Sequence, residues 1–121
     1  MTKRILAIED QEDNRRIPRD LLTAKGYELL EATTGEEGLA AAQRELPDLI
    51  LMDIQLPGLD GYEVTRRIKA DAGLRHIPVI AVTSYALSGD EQKAAAAGCD
   101  GYVTKPFSPR MLLAKIEEYL S

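Results

Sequence analysis

The stretch LILMD at residues 49–53 decides the fold class of this chain. Four consecutive apolar residues without polar alternation are typical of a strand covered on both faces, as in a parallel sheet between two layers of helices. The stretch VIAVT at residues 79–83 has the same character. Together the two stretches predict an α/β protein, and each ends in a polar residue, Asp53 or Thr83.

Helix-start signals separate the remaining apolar runs. Thr34 with Glu37 reads as a capping box, Asp60 repeats the pattern, and Ser108-Pro109 places a cap before a first-turn proline. Strands and amphipathic helices therefore alternate five times. The predicted strands lie at 4–9, 28–32, 48–53, 79–83 and 101–104, and the predicted helices lie at 13–25, 34–45, 60–70, 92–97 and from 108 onward.

Pro18 conflicts with the first predicted helix. A proline inside a helix removes a backbone hydrogen bond and costs about 3 kcal/mol when the helix stays undistorted. We therefore expect a kink or a displaced helix start at Pro18.

Five alternating βα units predict a single doubly wound, five-stranded parallel sheet with helices on both faces and right-handed crossovers. The common flavodoxin-like order for such a sheet is 2-1-3-4-5, with the ligand crevice between strands 1 and 3. The strand order cannot be derived from this sequence, so we adopt the order that is common among such sheets. It sets strands 1, 3, 4 and 5 side by side.

The carboxyl ends of these four strands carry polar side chains. They deliver Glu9 and Asp10, Asp53, Thr83 and Lys105, respectively. Taken singly, each of these residues could be a solvated or helix-capping side chain. Taken together, they place three acids, a hydroxyl and an ammonium at one edge of one sheet. Crowded carboxylates repel one another unless a cation joins them, so the pattern predicts a metal and phosphoryl site.

Bulk properties exclude several other functions. The chain has 121 residues and a net charge of −5, and its Arg15-Arg16 and Arg66-Arg67 pairs do not form a basic stripe, so a non-specific nucleic-acid surface is disfavoured. No apolar run approaches the roughly 20 residues of a membrane span. Cys99 is the only cysteine, which rules out an intrachain disulfide and indicates a reducing, cytoplasmic setting.

Four stretches resemble one known family. Residues 8–10 (IED), 53–61 (DIQLPGLDG), 82–83 (VT) and 105–107 (KPF) match the receiver domain of two-component response regulators. The resemblance covers essentially all of residues 1–121, as a single receiver domain without an output or DNA-binding domain. It is strongest to the stand-alone regulators used in chemotaxis and cell-cycle signalling.

This resemblance implies a role for each acid. Asp53 would accept a phosphoryl group from a phosphohistidine. Mg²⁺, which Mn²⁺ can replace, would be held by Asp10, Asp53 and the backbone carbonyl of Gln55, with Glu9 holding a coordinated water. The protein would catalyse its own phosphorylation and slow dephosphorylation, without acting as an enzyme on external metabolites.

The same resemblance implies roles for the other residues of the site. Lys105 would neutralise a phosphoryl oxygen, and the Thr83 hydroxyl would donate to another. The Lys105–Pro106 bond would be cis. Thr83 and Tyr102 would form the switch, because movement of Thr83 toward the phosphoryl group vacates space for an aromatic side chain. The readout surface would comprise the fourth helix, the fifth strand and the fifth helix.

The implied partners are a sensor histidine kinase or a histidine phosphotransfer protein and a downstream protein of unknown identity. We expect a monomer or weak dimer that binds neither DNA nor membrane and signals by protein contact.

Three alternatives stay open at this point. One is a phosphorylation-independent adaptor of the same fold. Another is a haloacid-dehalogenase-like phosphatase, although Gln55 stands where that class has a second aspartate. The third is a flavodoxin-type flavin binder, although the acidic run at residues 9–13 would repel a flavin phosphate.

Overall fold

The computed structural model describes residues 2–83, 90–104 and 108–120. Within these residues, five parallel strands form one sheet in the order 2-1-3-4-5, as predicted. The strands are β1 (Arg4–Ile8), β2 (Glu28–Ala32), β3 (Leu49–Asp53), β4 (Val79–Thr83) and β5 (Gly101–Thr104). The helices are α1 (Glu12–Ala24), α2 (Gly35–Glu45), α3 (Gly61–Ala70), α4 (Asp90–Ala97) and α5 (Pro109–Leu120).

The sheet separates two apolar cores, which explains why β3 and β4 lack polar alternation. Successive side chains of a strand point to opposite faces, so Leu6, Ile50 and Met52 pack with residues of α2 and α3. Ile5 and Leu51 pack on the other face with residues of α1 and α5. Both faces of the central strands are therefore buried, and their polar residues are confined to the strand ends.

Side-chain caps fix the starts of three helices. Thr34 Oγ1 accepts a hydrogen bond from the Glu37 amide at 3.1 Å, and Asp60 accepts one from the Glu63 amide at 2.9 Å. Ser108 Oγ accepts one from the Met111 amide at 3.1 Å. The predicted capping box at Thr34 differs in one detail, because the Glu37 carboxylate accepts from the amide of Thr33, one residue before the cap.

Helix α1 runs through Pro18 without a displaced start. It begins at Glu12, one residue before the predicted position, and continues to Ala24. Of the two predicted outcomes, the displaced start was therefore wrong, and the kink at Pro18 stays a prediction. The acids Glu12 and Asp13 in the first turn favour this start through the helix dipole, and Leu22 anchors the following turns in the core. Tertiary packing thus outweighs the local penalty at Pro18.

Cys99 lies half-buried after α4. Burial is the largest cause that raises the pKa of its thiol, while its hydrogen bond with Thr65 partly offsets the effect. The thiol therefore stays protonated at neutral pH and lacks the character of a nucleophile. Across the described ranges, no helix combines the length and the apolar character that a membrane crossing requires.

Candidate metal centre

Three strand ends meet at the carboxyl edge of the sheet. Ile8 pairs with Met52 in the β1–β3 register, so Glu9 and Asp53 follow at the same level. Asp53 pairs with Val82, which places Thr83 at the end of the next strand. Glu9, Asp53 and Thr83 are only 7%, 5% and 1% exposed, respectively, so these polar groups lie inside the protein and not on a solvated rim.

Three carboxylates form a compact cluster at this edge. One oxygen each from Glu9, Asp10 and Asp53 lies within 4.8 Å of the other two. At an effective dielectric constant near 20, like charges at this separation repel by about 3 kcal/mol per pair. The cluster therefore needs positive charge to be stable with all three groups ionised.

The donor set fits Mg²⁺. This ion prefers oxygen ligands, binds through one or two carboxylates and keeps several waters. The cluster offers carboxylate oxygens and contains neither histidine nor cysteine, the ligands that favour softer transition metals. Asp10 is partly exposed, so one side of the cluster opens to solvent, from which an ion can approach.

Backbone amides orient two of the acids. The Gln55 amide donates to Asp53 Oδ1 at 3.0 Å, and the Gln11 amide donates to Glu9 Oε2 at 3.1 Å. These bonds fix the planes of the two carboxylates and leave each with further acceptor capacity. The predicted role of the Gln55 carbonyl as a metal ligand stays a prediction.

A close backbone approach sets the position of Asp53. Gly61 begins α3, and a Cβ atom built on it would lie 2.4 Å from the Asp53 carbonyl oxygen and 2.8 Å from the Ile54 Cα. The Gly61 amide also donates to the Ile54 carbonyl at 3.2 Å. Helix α3 therefore packs directly against the residue that carries the central carboxylate. The sequence contained this glycine in the stretch at 53–61, but nothing there assigned it a role.

Thr83 and Tyr102 share one face of the sheet. Tyr102 pairs with Ala81, and Thr83 lies two residues beyond Ala81, so all three side chains project to the same side. Tyr102 is half-buried and packs against a small cluster of Ile54, Ala81 and Ala94. The two residues of the predicted switch are thus close diagonal neighbours, and Ala94 of α4 shares the cluster with Tyr102.

Lys105 and Pro106 lie outside the described residues. The roles predicted for them, a phosphoryl-neutralising ammonium and a cis proline, stay predictions. The part of the site that the structure does describe brings Glu9, Asp10 and Asp53 together, with Thr83 at the adjoining strand end.

Two arginines of α1 pair with acids that lie next to the acidic cluster. Glu12, just beyond the cluster in sequence, accepts hydrogen bonds from Arg19 at 2.9 Å and from Arg15 at 2.6 Å. The bond from Arg19 is the larger cause, and together the two lower the pKa of Glu12 to about 2. Both arginines also pair with Glu31, at the end of β2. The acidic run at 9–13 is therefore partly neutralised by its own helix.

The lowered pKa of Glu12 predicts an acid-dependent loss of stability. Because the pKa falls from 4.5 to about 2 on folding, the ionised carboxylate stabilises the folded state above about pH 4.5, and this contribution is lost as the pH drops toward 2. In urea unfolding, the difference in free energy of unfolding between wild type and Glu12→Gln should shrink over that range. It should also be small in high salt, because the pair is exposed. A difference that does not change with pH would contradict this assignment.

A family model supplies the decisive comparison. The model of the response regulator receiver domain matches residues 5–117. The chain belongs to this family. Among curated relatives of this receiver domain, the polar-differentiation response regulator DivK of Brucella ovis is 48% identical over 120 residues, covering 99% of this chain and 98% of the relative.

Solved structures agree with this assignment. The chemotaxis response regulator CheY4 of Vibrio cholerae has a TM-score of 0.92 and 28% identity, over 98% of this receiver domain and 99% of that chain. The receiver domain of the sensor histidine kinase PA1611 from Pseudomonas aeruginosa has a TM-score of 0.91 and 35% identity, over 99% and 98% of the two chains. That structure contains a magnesium ion coordinated in the active site cleft.

Proposed function

We propose that this receiver domain takes a phosphoryl group onto Asp53 in a Mg²⁺-dependent reaction and passes the signal on by protein contact. The observation that carries the proposal is the cluster of three carboxylates, with Asp53 buried at the end of a central strand. The magnesium ion in the PA1611 receiver domain supports the same chemistry at this edge of the sheet. We propose Mg²⁺ as the physiological ion and expect Mn²⁺ to substitute, since both accept octahedral oxygen coordination.

The proposed reaction moves one phosphoryl group between two proteins. An Asp53 carboxylate oxygen forms a bond to phosphorus while the phosphorus–nitrogen bond of a phosphohistidine breaks, and the imidazole leaves with the bonding electrons and takes up a proton. Asp10, Asp53 and the Gln55 carbonyl would hold the ion, with Glu9 acting through a water. When bound, Mg²⁺ would supply positive charge that offsets the repulsion between two anions.

The other residues of the proposal act on the phosphoryl group and on the output. The Gln55 amide holds the Asp53 carboxylate plane, which presets the direction of attack. Thr83 would donate its hydroxyl to a phosphoryl oxygen and Lys105 would neutralise another. Because Thr83 and Tyr102 project to the same side of the sheet, a shift of Thr83 would change the space open to Tyr102 beside Ala94. Such a change is a population shift driven by contacts made in the phosphorylated state.

The partners in this proposal are a sensor histidine kinase or a histidine phosphotransfer protein as donor and a downstream protein as receiver of the signal. We place the reaction in the cytoplasm, where ATP supplies the phosphoryl groups of histidine kinases. The protein acts on itself in this scheme, taking up one group per chain and losing it slowly to water.

Labelling with acetyl phosphate tests the proposal. We expect intact-mass measurement to show one phosphoryl group per chain in the presence of Mg²⁺, and a chelator to slow the labelling by on the order of 100-fold or more. Equal labelling with the chelator would contradict the metal role. Many turnovers of phosphate release from sugar phosphates would favour the phosphatase alternative, and partner affinities unchanged by phosphorylation would favour the adaptor.

A further inference from the structure

One guanidinium joins three segments of the chain beside the acidic cluster. Arg15 lies in the first turns of α1, and its side chain is only 12% exposed. Its Nη1 donates to the Glu9 carbonyl oxygen at 2.7 Å, and its Nη2 donates to Glu12 at 2.6 Å. Its Nε lies 3.1 Å from a Glu31 oxygen, an ion pair without the alignment of a hydrogen bond. The ends of β1 and β2 and the start of α1 therefore meet at Arg15.

The contact with Glu9 reaches the peptide group between two of the clustered acids. The Glu9 carbonyl belongs to the peptide bond that joins Glu9 to Asp10, so the bond from Arg15 fixes the orientation of that planar group. The Glu9 amide, on the other side of the residue, donates to the Ala32 carbonyl at 3.0 Å. Both peptide groups of Glu9 are thus held, although its carboxylate lies among like charges that push it away.

We infer that Arg15 is a positioning residue of the metal centre, which holds the Glu9–Asp10 peptide so that both carboxylates converge on the cation. This inference rests on the proposed function, because it concerns the affinity of the same site for Mg²⁺. Arg15 also lines, with Glu9 and Asp53, a small cavity beside α1, so it borders the same space as two of the clustered acids.

A positioning role and a purely electrostatic role for Arg15 predict opposite effects of its removal on Mg²⁺ affinity. A guanidinium near a cation site repels the cation, so a purely electrostatic role predicts that its removal tightens Mg²⁺ binding. A positioning role predicts weaker binding, because the unbound acids would relax apart. Residues that orient metal ligands typically change metal affinity by about 10- to 100-fold when removed.

Arg19 offers a matched control on the same helix. Its hydrogen bonds in the described part of the chain go to Glu12 and Glu31, the two carboxylates that Arg15 also contacts. Arg19 therefore shares the ion-pair network of Arg15 without the bond to the Glu9 carbonyl. If the ion-pair network as a whole influences Mg²⁺ affinity, substitution of Arg15 and substitution of Arg19 should therefore change that affinity alike.

Isothermal titration with Mg²⁺ tests the inference on wild type, Arg15→Met, Arg15→Lys and Arg19→Met. We expect Arg15→Met to raise the Mg²⁺ dissociation constant by about 10-fold and Arg19→Met to leave it within about twofold. Arg15→Lys should fall between wild type and Arg15→Met, because the compact ammonium keeps the charge but lacks the planar fork that reaches the Glu9 carbonyl and the Glu12 carboxylate together. Thermal unfolding in chelator establishes that each variant is folded before titration.

The outcomes separate the inference from the proposed function. A wild type that binds no Mg²⁺ would overturn the metal proposal and this inference with it. Wild-type binding with an unchanged or tighter Arg15→Met, or with an equal loss in Arg19→Met, would overturn the inference alone. Should Arg15→Met be unfolded, Arg15→Lys decides: weakened binding supports positioning, and wild-type affinity contradicts it.

Discussion

Replacing Asp53 by Asn is expected to reduce phosphoryl uptake from acetyl phosphate by at least about 1,000-fold. The amide has nearly the same shape and can still accept the hydrogen bond from the Gln55 amide, but it lacks the anionic oxygen that attacks phosphorus. The substitution also removes one of three mutually repelling charges. In the presence of a chelator, the free energy of unfolding of Asp53→Asn should therefore exceed that of wild type by on the order of 1 kcal/mol or more.

Asp10→Asn is the matched control, because it weakens the same cluster and keeps the nucleophile. Labelling of Asp10→Asn should recover as Mg²⁺ is raised, while labelling of Asp53→Asn should not. Intact-mass measurement over a series of Mg²⁺ concentrations separates the two. Full labelling of Asp53→Asn at a rate near that of wild type would show that another residue accepts the phosphoryl group.

Replacing Gly61 by Ala is expected to lower the free energy of unfolding by about 2–4 kcal/mol. The added Cβ would lie 2.4 Å from the Asp53 carbonyl oxygen and 2.8 Å from the Ile54 Cα, and both are backbone atoms that cannot turn aside. Helix α3 must then move away from β3, or the end of β3 must shift. Because Asp53 lies at that end, the phosphorylation rate of the remaining folded protein should fall as well.

Gly73→Ala is the control for this prediction. A Cβ atom at Gly73 would meet only the Asp71 Oδ1 atom, at 3.4 Å, which is an ordinary contact. Chemical denaturation should therefore place Gly73→Ala within about 0.5 kcal/mol of wild type. Equal stability of the two alanine variants would mean that α3 does not press against the Asp53 backbone as the structure indicates.

The fold was predictable because its decisive signals are local. The apolar stretches at 49–52 and 79–82 require a sheet covered on both faces, and the two cores on opposite sides of β3 confirm this requirement. The strand order was adopted from a common pattern, and the structure confirms it. The convergence of Glu9, Asp10 and Asp53 then follows from the order alone, since parallel neighbours end at the same edge.

The remaining features depend on contacts that no local pattern contains. The alternative of a displaced start for α1 was wrong because the helix penalty of Pro18 is local, whereas the packing that outweighs it is tertiary. Arg15 looks like one half of a surface basic pair in the sequence, and its role arises only where β1, β2 and α1 meet. Gly61 likewise becomes interpretable through its distance to the Asp53 backbone.

Localisation of the phosphoryl group by mass spectrometry tests the central claim most directly. After Mg²⁺-dependent labelling with acetyl phosphate, borohydride reduction converts an acyl phosphate of aspartate into homoserine, and peptide sequencing then identifies the modified position. The account predicts homoserine at residue 53 in the labelled sample and none in the sample treated with chelator. Homoserine at another aspartate, or a stable phosphoryl group on a hydroxyl or imidazole side chain, would contradict it.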